Sequence, residues 1–101
     1  MGVYVLGFAG SPRRGGNSEI LLDRVLEGAA SKGATVEKIA VSALKISPCR
    51  NCQGCASTGR CVVQDDMQLV YPKLCRAERI VVSSPIFFGT VSAQMKALID
   101  R

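Results

Sequence analysis

The sequence predicts an α/β domain, a parallel sheet with helices on both faces. Three observations predict it. First, Val3–Ala9 is nearly continuous in apolar residues and Ile80-Val81-Val82 is an apolar core within Arg79–Ser84, as strands buried on both faces of a parallel sheet are. Second, a helical pattern separates the first strand from the next, and the order strand–helix–strand implies a right-handed crossover. Third, the last strand ends in an apolar-aromatic loop, and loops at the carboxyl ends of such sheets are where ligands bind.

The elements follow in order. Val3-Tyr4-Val5-Leu6-Gly7-Phe8-Ala9 is the first strand. It breaks into the loop Gly10-Ser11-Pro12-Arg13-Arg14-Gly15-Gly16-Asn17-Ser18. Asn17 or Ser18 is the expected N-cap of a helix running to about Lys32, with Leu22, Val25, Leu26 and Ala29 on one face. Gly33 suits the residue just past the helix end. Thr35–Val41 is the second strand, and Ser42–Ser47 leads out of it. Asp65-Asp66 makes an acidic helix start, and Met67–Arg76 is helical. Pro72 is expected to divide that helix into a short turn and a fresh start. Arg79–Ser84 is the third strand, followed by Pro85–Thr90 and a last helix with Val91, Met95, Leu98 and Ile99 as its apolar positions.

A strand, a Gly/Ser-rich turn and a helix start together form an anion site, because backbone N–H groups, hydroxyls and the helix dipole converge there. Arg13 or Arg14 would add charge-assisted contacts. The turn matches no strict phosphate-loop fingerprint, so a plain connecting loop is the competing reading.

Four of the five cysteines lie in the run Pro48–Cys61, spaced C-x2-C-x2-C-x5-C. Thiolates at every third residue can wrap one compact centre, and this spacing is the habit of iron–sulfur clusters. Gly54 and Gly59 allow the tight turns that convergence needs. Reduced structural thiols, zinc and disulfides are the alternatives. The chain has no His, which excludes mixed Cys/His ligation. Cys75 lies outside the spacing and reads as a buried free thiol.

At 101 residues, 48% of them apolar, the chain makes one small domain with enough material for a core. The net charge of +5 suits an anionic partner, such as a phosphate-bearing cofactor or an acidic redox protein. Apart from Arg13-Arg14 the basic residues are scattered, which argues against a nucleic-acid surface. No stretch approaches the roughly 18 apolar residues of a membrane span. The start Met1-Gly2-Val3-Tyr4 lacks the pattern of a signal peptide. A cytoplasmic, reducing location is therefore expected, where clustered cysteines read as metal or redox ligands.

Taken together, several motifs carry a resemblance. They are Gly10-Ser11-Pro12-Arg13 with Gly16-Asn17-Ser18, the Cys49–Cys61 run, Asp65-Asp66-Met67, Ser84-Pro85-Ile86-Phe87-Phe88-Gly89, and Ser92–Arg101. In this order they resemble the NADPH-dependent FMN reductase family, and within it the iron–sulfur flavoproteins. The resemblance implies a flavodoxin-like, three-layer fold over residues 1–101 and bound FMN. It implies that Ser11, Arg13, Asn17 and Ser18 hold the FMN phosphate, and that Pro85, Ile86, Phe87, Phe88 and Gly89 lie against the ring. It implies a [4Fe–4S] cluster on Cys49, Cys52, Cys55 and Cys61. Electrons would pass between cluster, FMN and an external carrier such as ferredoxin, with NAD(P)H as a further donor. The position of Phe87 is often Tyr in that family, so a phenolic hydrogen bond is absent here.

A cluster-free NAD(P)H-dependent FMN or quinone reductase is the rival within the same chemistry. A small zinc- or cluster-stabilised binding module is the rival of another class. A flavodoxin-like sheet has strand order 2-1-3-4-5, and the sequence supplies strands 1 to 3. The third strand's outer edge is then unpaired, which predicts self-association or a need for a further C-terminal segment.

Overall fold

The structure is a computed structural model that describes residues 3–101. Strands β1 (Tyr4–Ala9), β2 (Thr35–Ala40) and β3 (Arg79–Ser83) form one parallel sheet in the order β2-β1-β3. Tyr4 lies opposite Thr35 and Ala9 opposite Ala40 on one side of β1, and Val5 lies opposite Arg79 and Ala9 opposite Ser83 on the other. β1 is central, which is why its apolar run does not alternate: Val5, Leu6, Phe8 and Ala9 are all buried.

Helix α1 (Asn17–Ser31) covers one face, packing Leu22 and Leu26 against Val5 and Ala9. The approach is close, since a Cβ at Gly7 would sit 3.0 Å from Leu26 Cδ1 and 3.1 Å from Leu22 Cδ1. The other face is covered by α3 (Met67–Arg76) and α4 (Ala93–Asp100), whose Met67, Val70, Met95 and Leu98 pack on Leu6 and Phe8. Between β2 and α3 come a 3₁₀ turn at Val41–Ala43 and a single helical turn, α2 (Cys55–Thr58), inside the cysteine loop. The three-layer, flavodoxin-like arrangement is the one expected from the sequence.

Several local expectations are corrected. The N-cap of α1 is Gly16, with Asn17 the first helical residue, and no side chain caps the turn. α3 runs through Pro72 without a break. The proline removes one ladder hydrogen bond, but Met67 and Val70, each 1% exposed, anchor the helix in the core on the preceding turn. Cys75 is exposed, not buried. The inward face of α3 is set by Met67, Val70 and Leu74, and Cys75 stands about a quarter-turn away from it.

Val25 and Ile99, expected on buried faces, are also exposed. Val25 belongs to a wider pattern. Among the described residues no strand pairs with the outer edge of β3, where Ile80 and Val82 are exposed. Leu21, Leu22 and Val25 of α1 and Val81 and Val82 of β3 line an open apolar groove of about 260 Å³ along that edge.

Candidate functional site

The carboxyl ends of β1 and β3 are side by side, at the point where the chain turns from one side of β1 to the other. In an open α/β sheet that switch point leaves a crevice for a ligand. Two loops meet there. The Gly10 N–H donates to the Ser83 carbonyl at 2.8 Å, and the Ser92 hydroxyl donates to the Gly10 carbonyl. Ser92 also caps α4 by accepting the Met95 N–H at 3.2 Å, while its own N–H donates to Ser84 Oγ at 2.9 Å. One buried serine thus ties the loop after β1, the loop after β3 and the start of α4 together.

The first loop gathers a hydroxyl, a cation and a helix start. Ser11 is buried and its Oγ accepts the Arg13 N–H at 3.1 Å, leaving the hydroxyl hydrogen free to donate elsewhere. Gly15, at φ +76°, makes the bend that reverses the chain into α1. The uncapped start of α1 presents Asn17 and Ser18. Arg13 is exposed and lies against that start, since a Cβ at Gly16 would be 3.0 Å from its guanidinium. Arg13 has no ion pair among the described residues. Ser11, Arg13, Asn17 and Ser18 are therefore brought to one end of the sheet.

Arg14 is committed elsewhere. Its Nε and Nη2 bond Glu19 at 3.1 and 3.0 Å, and Glu19 also accepts the Gly15 N–H at 2.9 Å and the Lys38 ammonium at 2.7 Å. Lys38 in turn bonds Asp23 at 2.7 Å. Hydrogen bonds from Arg14, then Lys38, then Gly15 hold the Glu19 carboxyl far below the usual carboxylate range. This buried acid was not singled out by sequence reasoning. Its signal was an acid three residues past Gly16, the spacing at which an acid reaches back to N–H groups at a helix start.

The second loop is apolar and projects outward. Phe87 and Thr90 exchange backbone hydrogen bonds at 2.9 and 3.1 Å. Phe88 and Gly89 between them have φ +50° and +79°, the pattern of a type I′ turn. Phe88 and Ile86 are fully or almost fully exposed, Phe87 is half-exposed, and Pro85 is partly buried at the base. Neither phenylalanine serves the core. The loop offers flat apolar surface beside the anion loop.

The cysteine loop is a separate structure. Cys49, Cys52 and Cys55 are exposed, Cys61 is half-buried, and all are free thiols. The loop is tightly turned: Asn51 and Gln53 have φ +56° and +64°, and Gly59, at +74°, ends α2. A Cβ at Gly54 would fall 2.7 Å from Val62 Cγ1, so a side chain there would displace Val62. The Asn51 N–H points at Cys49 Sγ at 3.4 Å. The Gly54 N–H, against the opposing effect of burial, and Arg50 beside it hold the Cys52 thiol below its ordinary value. The donor set and these N–H···S contacts suit a metal–thiolate centre. Among the described residues, however, no three Cys, His, Asp or Glu side chains are gathered closely enough to hold a metal ion.

Comparison with known proteins gives a consistent answer. The family model described as NADPH-dependent FMN reductase matches residues 3–101. An iron-sulfur flavoprotein of Methanosarcina thermophila is 37% identical over 96% of this chain and 51% of its own length. One from Methanocaldococcus jannaschii is 38% identical over 96% of this chain and 50% of its own length. One from Archaeoglobus fulgidus is 38% identical over 95% of this chain and 44% of its own length. The chain thus spans about half the length of the curated relatives it matches. No solved structure matches it significantly.

The depressed Glu19 carboxyl sets a pH dependence. Its contribution to stability is present above the unfolded value, about 4.3 for Glu, and is lost as pH falls toward the lower folded value. Wild type is expected to exceed Glu19→Gln in denaturant midpoint at neutral pH, and the gap should shrink on acidification below that value. A gap independent of pH would show that the ionised carboxylate contributes nothing to the fold.

Proposed function

This chain belongs to the NADPH-dependent FMN reductase family, and we propose that it binds FMN and serves a flavin-dependent oxidoreductase of the iron–sulfur flavoprotein kind. The observation that carries the reading is Arg13, without an ion pair among the described residues, against the start of α1 and next to the projecting Pro85–Gly89 loop at the β1/β3 switch point. A phosphate and a flat ring are the two chemical parts of FMN, and the two loops fit them separately. Ser11, Arg13, Asn17 and Ser18 bind the phosphate. Pro85, Ile86, Phe87, Phe88 and Gly89 flank the ring and shield it from water. FMN when bound supplies a centre that exchanges one or two electrons, and the chain's task is to hold and orient it. No side chain is assigned to acid–base catalysis. NAD(P)H or a small redox protein such as a ferredoxin is the electron partner, in the cytoplasm.

Arg13→Ala is expected to weaken FMN by roughly 1.5–3 kcal/mol, the scale of a hydrogen bond to a charged group. Riboflavin, which lacks the phosphate, should be almost indifferent. Fluorescence titration of the apoprotein with both ligands reads the difference, and equal weakening would move the phosphate to another site.

For the cysteine loop we infer a [4Fe–4S] cluster on Cys49, Cys52, Cys55 and Cys61. The spacing, the N–H···S contacts and the similarity to iron-sulfur flavoproteins support it. Holding a cluster requires the four thiols to converge further than they do here. Cys52→Ser should lower the iron content of anaerobically purified protein and remove its broad thiolate-to-iron absorption, while Cys75→Ser should not. Flavin bands alone in the wild type would favour the cluster-free reductase instead.

The bare outer edge of β3 supports a last part of the reading, that a strand from outside these residues pairs there. A polypeptide of these 101 residues should then associate with itself at micromolar concentration. A monodisperse monomer in sedimentation equilibrium would refute that.

A further inference from the structure

We propose that Arg101 is a positioning residue for the cysteine loop, fixing both of its stems so that the four thiols are presented from a rigid base. The side chain of Arg101 is 0% exposed, although it belongs to neither flavin loop. Its Nη1 donates to the Ser47 carbonyl at 2.9 Å and to Asp65 Oδ2 at 2.7 Å, and its Nη2 donates to the Val63 carbonyl at 3.0 Å. Ser47 immediately precedes Pro48, where the loop begins. Val63 and Asp65 lie just after Cys61, where it ends. One guanidinium therefore grips the chain on both sides of residues 48–62, which a planar fork of donors can do and an ammonium cannot.

The surrounding groups reinforce the grip. Asp65 Oδ2 also accepts the Ser47 N–H at 2.8 Å, and Oδ1 accepts the Met67 N–H at 3.0 Å. Burial pushes the Asp65 carboxyl up, but hydrogen bonds from Arg101, Ser47 and Met67 together outweigh it and keep it ionised. Gln68 bonds the Val63 carbonyl at 2.9 Å and accepts the Asp65 N–H at 2.7 Å. Asp66 ties to Lys45 twice, accepting its N–H through Oδ2 at 2.7 Å and donating to its carbonyl at 3.0 Å. The Tyr71 hydroxyl holds the Arg101 carbonyl at 3.3 Å.

The location gives the clasp its consequence. Arg101 closes the far end of α4, whose near end is the Ser92 cap joining the two flavin-side loops. The cysteine loop is thus tied to the same short helix as the proposed flavin site. A loop of this length loses entropy when its ends are pinned. The clasp has already met that cost before any ligand binds, which preorganises the stems of the loop and leaves the thiols only the convergence within it.

The test compares Arg101→Met with Leu98→Ala in the full chain. Leu98→Ala loosens α4 by removing a buried side chain that makes none of the stem hydrogen bonds, and serves as a control for general destabilisation. At comparable losses of melting temperature, Arg101→Met should speed hydrogen exchange of the stem amides of Lys45, Ser47 and Asp65 by about tenfold or more beyond the control, the scale of one charge-assisted hydrogen bond. It should also speed iron release to a chelator, while FMN affinity stays unchanged. If Arg101→Met does not fold, Arg101→Lys, which keeps the charge and loses the fork, carries the same comparison. Stem exchange and iron release no faster than in Leu98→Ala would overturn the proposal. The iron measurement rests on the cluster reading. Wild-type protein without iron would overturn that reading alone, and the stem amides would still decide the role of Arg101.

Discussion

Everything at the functional end of the molecule depends on one close approach at Gly10. Its N–H meets the Ser83 carbonyl, and a Cβ there would fall 2.8 Å from that oxygen and 3.1 Å from Met95 Cβ. Any side chain would push β1, β3 and α4 apart. Because nothing is there, the Ser92 hydroxyl can reach the Gly10 carbonyl, and Ser84 can accept the Ser92 N–H. The loop after β1 and the loop after β3 are thereby spaced by backbone contacts and not by flexible side chains. A site for a ligand with a phosphate at one end and a planar ring at the other needs that fixed spacing.

Charge is handled in a related way. The chain carries a net charge of +5, yet the buried Glu19 and the half-buried Asp65 are each matched by cations that also shape a loop. Arg14 and Lys38 are neutralised by Glu19 and Asp23, which leaves Arg13 as the cation of the anion loop without an ion pair among the described residues. On the cysteine loop, Arg50 and Arg60 are exposed and have no acidic partner among the described residues. Arg13, Arg50 and Arg60 thus place positive charge without an acidic partner on the two loops, while Arg14, Lys38 and Arg101 are spent on holding backbone.

Much of this was legible in the sequence, because it is local. The apolar runs marked β1 and β3, and the Gly/Ser loop marked the turn from β1 into α1. The order of the motifs identified the three-layer fold. What was not legible depends on partners far apart in the chain. Arg101 meets Ser47 and Val63 across most of the C-terminal half, and Lys38 meets Glu19 across a helix. No periodicity reports such pairings. Val25 was misplaced because its helix face is defined by what covers β3, and Cys75 because a quarter-turn on α3 separates the core from solvent. Pro72 was read as a break because local rules do not count the burial of Met67 and Val70 that holds α3 together.

The tip of the loop after β3 has a bearing on how this sequence is kept by selection. Phe88 sits at φ +50° with its ring wholly in solvent. A residue with a Cβ is disfavoured in that conformation by about 1–2 kcal/mol relative to glycine. Glycine or asparagine is what such a turn prefers. Selection for thermal robustness alone would erase the phenylalanine, since it strains the turn and buries nothing within these residues. A strained aromatic held at a tip is a trade of stability against contact with something outside the chain. Glycine at position 88 would relieve the turn and remove its exposed ring in the same change.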